Sequence, residues 1–325
     1  MSLLKEQQIS PQGRALDTSF SNVAVVVPCL NEEANIERVV SSFLQNLPGA
    51  HVFVYDNDSS DRTAEIASTA GALVYHEPKR GKGHAVRRIF SDVEAEIFVL
   101  VDGDGTYDAT AAPQMIERLR RDNLDMVIGR RVDQSKHAYR PGHRFGNRMM
   151  TVFLARLFGS DLNDVLSGYR VMSRRFVKSF PVGTSGFEIE TEMTIHMLQI
   201  DAPYTEMDTS YSERSAESPS KLRTVPDGFR VLGTMLQLYV AERPLVVFGA
   251  SGVIAVSIAL MMFLPILAEY QHTGLVTRIP TLIVSAVFGL IGLVSVFSGL
   301  ILAGITRTRR DIKRLAYLAQ SSVSG

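Results

Sequence analysis

The chain has 325 residues, enough for one large domain and an appendage. Lys plus Arg and Asp plus Glu number 34 each, so no global basic field points to nucleic acid. A lone cysteine, Cys29, excludes a disulfide within the chain; in an apolar segment with no evident base partner, it reads as a small core residue.

Residues 1–22 are polar and lack an apolar core, so they read as a tail and not a secretory signal. The segment that follows is expected to start in the cytoplasm. Val23 to Val27 is an apolar, β-branched run that predicts a first buried strand, broken by Pro28. Asn31 to Asn35 opens a helix whose Ile36, Val39, Val40, Phe43 and Leu44 keep helical spacing, and Pro48-Gly49 ends it. His51 to Tyr55 predicts a second strand that runs into the acidic, hydroxyl-rich turn Asp56 to Asp61, with a helix from Thr63 to Ala70. Ala72 to His76 predicts a third strand, and Gly81-Lys82-Gly83 opens a helix to Phe90. Ile97 to Val101 predicts a fourth. Strand and helix alternating at this spacing mean a mostly parallel, three-layer α/β domain. The Gly-x-Gly-x-x-Gly turn of a dinucleotide-binding fold is absent, as is a Walker A loop.

The fourth strand ends in Asp102-Gly103-Asp104. Ligands of open α/β sheets bind at the carboxyl ends of strands. Residues i and i+2 of extended chain point the same way. Two carboxylates so placed suit Mg²⁺ or Mn²⁺, hard cations that bridge to substrate phosphates. An acidic turn capping the next helix is the plainer alternative. Similar alternatives stand beside Glu32 and Glu33, which fit the first turn of a helix dipole, and beside Lys82, which fits a solvated loop.

Residues 129–148 crowd Arg130, Arg131, Arg140, Arg144 and Arg148 before the apolar run Met149 to Phe158, which reads as a helix suited to a bilayer interface. Glu188, Glu190 and Glu192 alternate along a stretch that fits either a sugar pocket or a helix N-terminus. Residues 226–243 are amphipathic. Residues 245–267 and 281–305 each run beyond the length of about 20 apolar residues that spans a bilayer. A short linker joins them. Arg243 before the pair and Arg307, Arg309, Arg310, Lys313 and Arg314 after it put both ends in the cytoplasm.

Val27 to Glu32, Tyr55 to Thr63, Arg80 to Gly83, Asp102 to Asp104, Gly129 to Arg131 and Leu166 to Arg170 together resemble the family 2 glycosyltransferases of GT-A fold. With the apolar hairpin, the chain is similar to dolichol- and polyprenyl-phosphate glycosyltransferases, bacterial polyisoprenyl-phosphate glucosyltransferases among them. The resemblance implies a catalytic domain over 23–225, a juxtamembrane helix over 226–243, a hairpin over 244–305 and a basic tail over 306–325. It implies inverting hexosyl transfer from a nucleotide-diphosphate sugar, with UDP favoured, to undecaprenyl or dolichyl phosphate at the inner membrane. Mg²⁺ or Mn²⁺ would assist, and a homo-oligomer stays open.

The same resemblance assigns Asp102 and Asp104 to catalysis and metal, with Asp104 the better-placed ligand. Pro28, Leu30, Glu32, Asp56, Lys82, Arg214 and Lys221 go to the donor, and Arg131, Arg144 and Asn147 to the acceptor phosphate. Related mannosyltransferases have a Gln ligand where Thr106 stands, which leaves the third protein ligand open. Asn57 replaces an aspartate that many relatives carry. A processive synthase is excluded by the lack of tryptophan. Two rivals remain: a tethered transferase acting on another glycolipid or a soluble acceptor, and a non-catalytic membrane scaffold.

Overall fold

The computed structural model describes residues 20–133, 141–181, 183, 189–212, 233 and 235–320. The chain divides into two compact units: Met1–Asp227 with Lys313–Gly325, and Gly228–Ile312.

The first unit is a GT-A-like α/β fold built on one seven-stranded sheet. In chain order its elements are β1 (Val23–Cys29), α1 (Ile36–Asn46), β2 (His51–Asp56), α2 (Thr63–Thr69), β3 (Leu73–His76), α3 (Lys82–Asp92) and β4 (Ile97–Leu100). Then come α4 (Ala112–Arg121), β5 (Met126–Asp133), α5 (Pro141–Phe158), β6 (Arg170–Ser173), α6 (Arg174–Ser179), α7 (Ile189–Gln199) and β7 (Tyr204–Tyr211). The strand order is β3-β2-β1-β4-β6-β5-β7. β1, β2, β3 and β4 pair in parallel, as do β5 and β7, whereas β6 runs antiparallel to both its neighbours.

β1 and β4 are buried throughout, which is why their sequences read as unbroken apolar runs. α1 turns Ile36, Val39, Val40 and Phe43 inward, the residues its spacing marks. One expectation is corrected: Pro28 does not end β1, which continues to Cys29. The reason lies in the ladder. Val26 accepts a hydrogen bond from the Val101 N–H on the β4 side, and the alternation of strand groups points Pro28 to that side too. The last β1–β4 pair is Val26 with Leu100, so the missing Pro28 N–H costs no partner, while Cys29 still bonds toward β2.

α5 buries Met150, Leu154 and Leu157 and exposes Val152. Its apolar face is therefore used largely inside the protein. Residues 235–242 are helical, with Met235 buried and Leu236 exposed.

The second unit carries α8 (Pro244–Thr273) and most of α9 (Ile279–Leu318), two helices long and apolar enough to cross a membrane. Small residues bring them together. A Cβ at Gly252 would lie 2.9 Å from the Gly292 carbonyl, and one at Gly292 would lie 2.9 Å from the Gly252 carbonyl. Ser251 and Ser295 share a hydroxyl hydrogen bond of 2.7 Å across the same seam.

Candidate active site

The carboxyl ends of β1, β2 and β4 gather the acidic residues. Cys29 records this: burial raises its thiol well above the ordinary range, and Glu32, Asp56, Asp102 and Asp104 raise it further. A thiol so placed stays protonated and inert, in keeping with a core role. The β1 and β2 turns are laced together. Asn31 takes a left-handed φ of 52° and its N–H donates to Ser59 Oγ at 2.9 Å. The Glu32 N–H donates to Thr63 Oγ1 at 2.8 Å, and Glu33 accepts the Arg62 N–H at 3.0 Å. Glu33 thus fastens the α2 start, while Glu32 is buried nearer the acidic cluster.

Asp56 is buried at the end of β2. Its Oδ2 accepts from the Ser59 N–H at 3.3 Å and lies 3.5 Å from His76 Nδ1. Its Oδ1 is buried and, among the described residues, has no hydrogen-bond partner. Asn57 faces elsewhere. Its Nδ2 donates to the carbonyls of Glu77 (3.1 Å) and Lys79 (2.6 Å), and its Oδ1 accepts the Gly81 N–H at 2.6 Å. It shapes the loop leading to Lys82, and an aspartate could not make the two donor bonds.

Lys82 begins α3 just after Gly81, whose φ of 128° suits glycine. Its ammonium pairs with both Asp102 and Glu190. Burial would lower the Lys82 pKa, but the two carboxylates outweigh it and hold the group above its ordinary range. Glu190 lies in the first turn of α7 and is itself buried. Glu192 accepts the Gly183 N–H at 2.9 Å.

Asp102 packs on backbone. A Cβ at Gly168 would sit 2.5 Å from Asp102 Oδ2, so a bare glycine lets the carboxylate take this place. The Gly168 N–H donates to the Tyr107 hydroxyl at 2.9 Å. Asp104 Oδ1 accepts from both the N–H (3.1 Å) and the hydroxyl (2.7 Å) of Thr106. Thr106 therefore orients Asp104, and the pair resembles a ligand with its support more than two ligands side by side. Gly105, at φ 70°, gives its carbonyl to the Arg38 guanidinium at 3.0 Å.

Among the described residues, no group of three or more His, Cys, Asp or Glu converges as a metal cage. Two hard carboxylates at one strand end do fit a Mg²⁺- or Mn²⁺-type ion that takes its remaining ligands from water and substrate phosphate.

Arg131 is engaged by Asp164 through Nε (2.8 Å) and Nη2 (2.7 Å), and its guanidinium carbon stands 5.6 Å from the Tyr211 ring centre. Tyr211 also meets Tyr107, with ring centres 5.3 Å apart. Arg130 makes an exposed pair with Asp208. Arg170 is wholly buried and knots the preceding loop: it donates to the carbonyls of Ser167 (3.0 Å) and Val165 (2.7 Å) and to Thr194 Oγ1 (3.0 Å). Burial lowers its pKa to about 10. Arg214 and Lys221 lie outside the described residues, and the described side chains of α5 begin after Arg144 and Asn147. Pro28 and Leu30 sit at the β1 end beside the acidic group.

Glu190, Asp164, Gly168, Tyr107 and Tyr211 escaped assignment from sequence. Glu190 had a signal, the alternating glutamates, and Gly168 lies within the Leu166 to Arg170 motif. Tyr107 lies within the stretch from Ile97 to Asp108, and Tyr211 opens the basic loop that holds Arg214, but neither ring carried a role of its own.

Residues 24–180 match the profile of Glycosyl transferase family 2. Glycosyltransferase AglJ of Haloferax volcanii is 33% identical over 76% of this chain and 82% of its own length. The dolichyl-phosphate hexose transferase of the same organism is 26% identical over 69% of this chain and 97% of its own. Among solved structures, glucosyl-3-phosphoglycerate synthase from Mycobacterium tuberculosis, in complex with Mn²⁺, UDP-glucose and phosphoglyceric acid, superposes with a TM-score of 0.52. That likeness covers 66% of this chain and 79% of the other at 24% identity, and it speaks to the fold alone.

Proposed function

The chain belongs to glycosyl transferase family 2, and on that premise we propose that it transfers a hexose from a nucleotide-diphosphate sugar, UDP-linked by preference, to a polyprenyl phosphate at the cytoplasmic membrane face. The observation that carries the reading is the meeting of Asp56, opposite Cys29 in the β1–β2 ladder, with Asp102 and Asp104, whose intervening Gly103 packs on the Cys29 sulfur, in a chain with two helices apolar enough to cross a membrane. The name of the dolichyl-phosphate hexose transferase relative supports the lipid acceptor.

In this reading the unpartnered Asp56 Oδ1 accepts an N–H of the base, and Glu32 accepts from ribose. Asp104 and Asp102 hold the divalent ion, whose contribution when bound is to offset the charge of the diphosphate. A lipid-phosphate oxygen forms the new bond at the anomeric carbon. The bond to the diphosphate breaks on the opposite face, its electron pair leaves with the nucleoside diphosphate, and the configuration inverts. The acceptor phosphate, with a second pKa of about 6, is already anionic near neutrality, so no strong base is needed. Arg131, fixed by Asp164, offers its cation toward that acceptor together with Arg144 and Asn147, while Lys82, Arg214 and Lys221 serve the donor side.

The test incubates the purified full chain with Mn²⁺, a polyprenyl phosphate and a panel of UDP- and GDP-sugars, and weighs the products. A glycosyl polyprenyl phosphate is expected. Sugar transfer only to an added soluble or glycolipid acceptor would replace the lipid-phosphate reading, and donor binding without any transfer would favour a scaffold.

A further inference from the structure

The buried ion triplet of Lys82, Asp102 and Glu190 has an unusual composition. One ammonium serves two carboxylates from distant parts of the chain, Asp102 lying 20 residues and Glu190 108 residues from Lys82. The Lys82 side chain is 10% exposed and that of Glu190 7%, whereas that of Asp102 is 28% exposed. Glu190 is the enclosed partner and Asp102 the accessible one.

Each anchor is independently built. Glu190 opens α7, and its carbonyl accepts the Thr194 hydroxyl at 2.9 Å, which Arg170 in turn grips at 3.0 Å. Asp102 is confined by Gly168. Lys82 follows the loop that Asn57 holds. The ammonium is therefore delivered to its place and does not reach it by chance.

The formal charges of the metal-side carboxylates and of the triplet can be set side by side. Asp102, Asp104 and Glu190 carry three negative charges and Lys82 one positive, so the four groups sum to minus two. One divalent cation would balance them. Without Glu190 the same ion would meet a net of minus one, and its arrival beside Asp102 would press two cations together with no second anion for the lysine.

We propose that Lys82 is an internal counter-cation that occupies Asp102 in the donor-free enzyme, and that Glu190 is the positioning residue that keeps Lys82 when a divalent cation takes Asp102. This rests on the metal assignment made for Asp102 and Asp104, and not on the identity of sugar or lipid. Lys82 then stays beside the donor site with its charge supported by Glu190, ready for the diphosphate. The exchange also keeps two neighbouring carboxylates from standing uncompensated between turnovers.

Binding of Mn²⁺ alone to the detergent-solubilised full chain tests this, read from the free-ion electron paramagnetic resonance signal with no donor or lipid present. Lys82→Met removes the competitor, and Mn²⁺ should bind about tenfold tighter, even though turnover falls. Glu190→Gln leaves Lys82 with Asp102 alone, and Mn²⁺ should bind about tenfold weaker. Opposite signs separate the exchange from a structural role, which would weaken both. Lys82→Gln repeats the first arm should the methionine variant fail to fold. Lysine variants that are folded, by an unchanged melting midpoint, and bind Mn²⁺ no tighter would overturn the inference alone. A lack of saturable Mn²⁺ binding in the unaltered chain would overturn it together with the metal assignment, and would leave the choice of acceptor to the product assay.

Discussion

Asp104 is held by the residue two positions on. Its Oδ1 takes both an N–H and a hydroxyl from Thr106, and Thr106 is itself buried. Asp104→Asn keeps the shape but removes the charge that a metal–diphosphate needs, and turnover should fall by at least about a hundredfold in a folded protein. Thr106→Val is the subtler probe. It keeps the backbone bond and loses the 2.7 Å hydroxyl bond, so turnover should fall by about tenfold, the scale of one buried hydrogen bond to a charged group. Equal turnover by Thr106→Val and the unaltered chain would mean that the hydroxyl does not orient the carboxylate. A second residue gives a pH signature. His196 is buried against Phe176 and Phe180, and burial first, then Lys313, depresses its pKa to about 3. In the unfolded chain it takes up a proton near pH 6.5. The unfolded state therefore binds more protons below that pH, and stability is full above about 6.5 and lost as pH falls toward about 3. By pH 5 the loss should be about 2 kcal/mol. Denaturant unfolding at pH 7.5 and pH 5 checks it, since His196→Gln should lose less over the same interval.

Loops at the strand ends do most of the positioning, and they differ in how far sequence alone exposes them. The Asp56 and Asp102 turns are visible because an apolar strand run stops at a carboxylate, a purely local pattern. The partners of those residues are not local. Lys82 reads from its flanking glycines as a phosphate ligand, yet it meets Glu190, 108 positions away; Arg131 reads as an acceptor-phosphate ligand, yet it is paired with Asp164 33 positions away. Periodicity records which face of an element is buried but not which element arrives opposite, and the antiparallel insertion of β6 between β4 and β5 brings the Gly168 loop to Asp102. Asn57 shows the same limit. Its sequence neighbours suggest base recognition, whereas its three hydrogen bonds shape residues 77–81. Asn57→Asp should therefore set a carboxylate against two carbonyls, lower stability by about 2 kcal/mol and raise the donor KM by about tenfold through Lys82. Steady-state kinetics beside a melting curve decide it. A destabilised variant with an unchanged donor KM would show that the loop does not govern Lys82.

For the molecule as a whole, chain order and spatial order part at the C-terminus. The basic run after the second apolar segment reads as a membrane-flanking tail, which accounts for its charges but not for Tyr317. In the structure α9 continues to Leu318, and its final residues belong to the catalytic unit. Lys313 donates to Gln199 at 2.6 Å, Arg314 pairs with Asp201, and Arg174 donates to Gln320 at 3.2 Å. At the centre, the Tyr317 hydroxyl donates to Asp125, whose carboxylate also takes the Ser173 hydroxyl and the Arg175 guanidinium. Arg175 lies 4.3 Å over the Tyr317 ring. Asp125 is almost fully buried, so each lost partner leaves a charge less well compensated. A chain ending at Ile312 should thus have a catalytic unit weaker by about 2–4 kcal/mol, from one buried hydrogen bond to a charge and one cation–π contact. Tyr317→Phe, which keeps the ring, should cost about 1–2 kcal/mol. A chain cut after Glu242, otherwise the natural soluble version, loses the same segment. It should bind nucleotide sugar only at lower temperature than the full chain does. Denaturant unfolding of each form, followed by nucleotide-sugar binding, provides the measurement. If the chain ending at Ile312 unfolds at the same midpoint as the full chain, the contacts around Tyr317 are incidental, and the catalytic unit is complete without the residues that follow the second apolar helix.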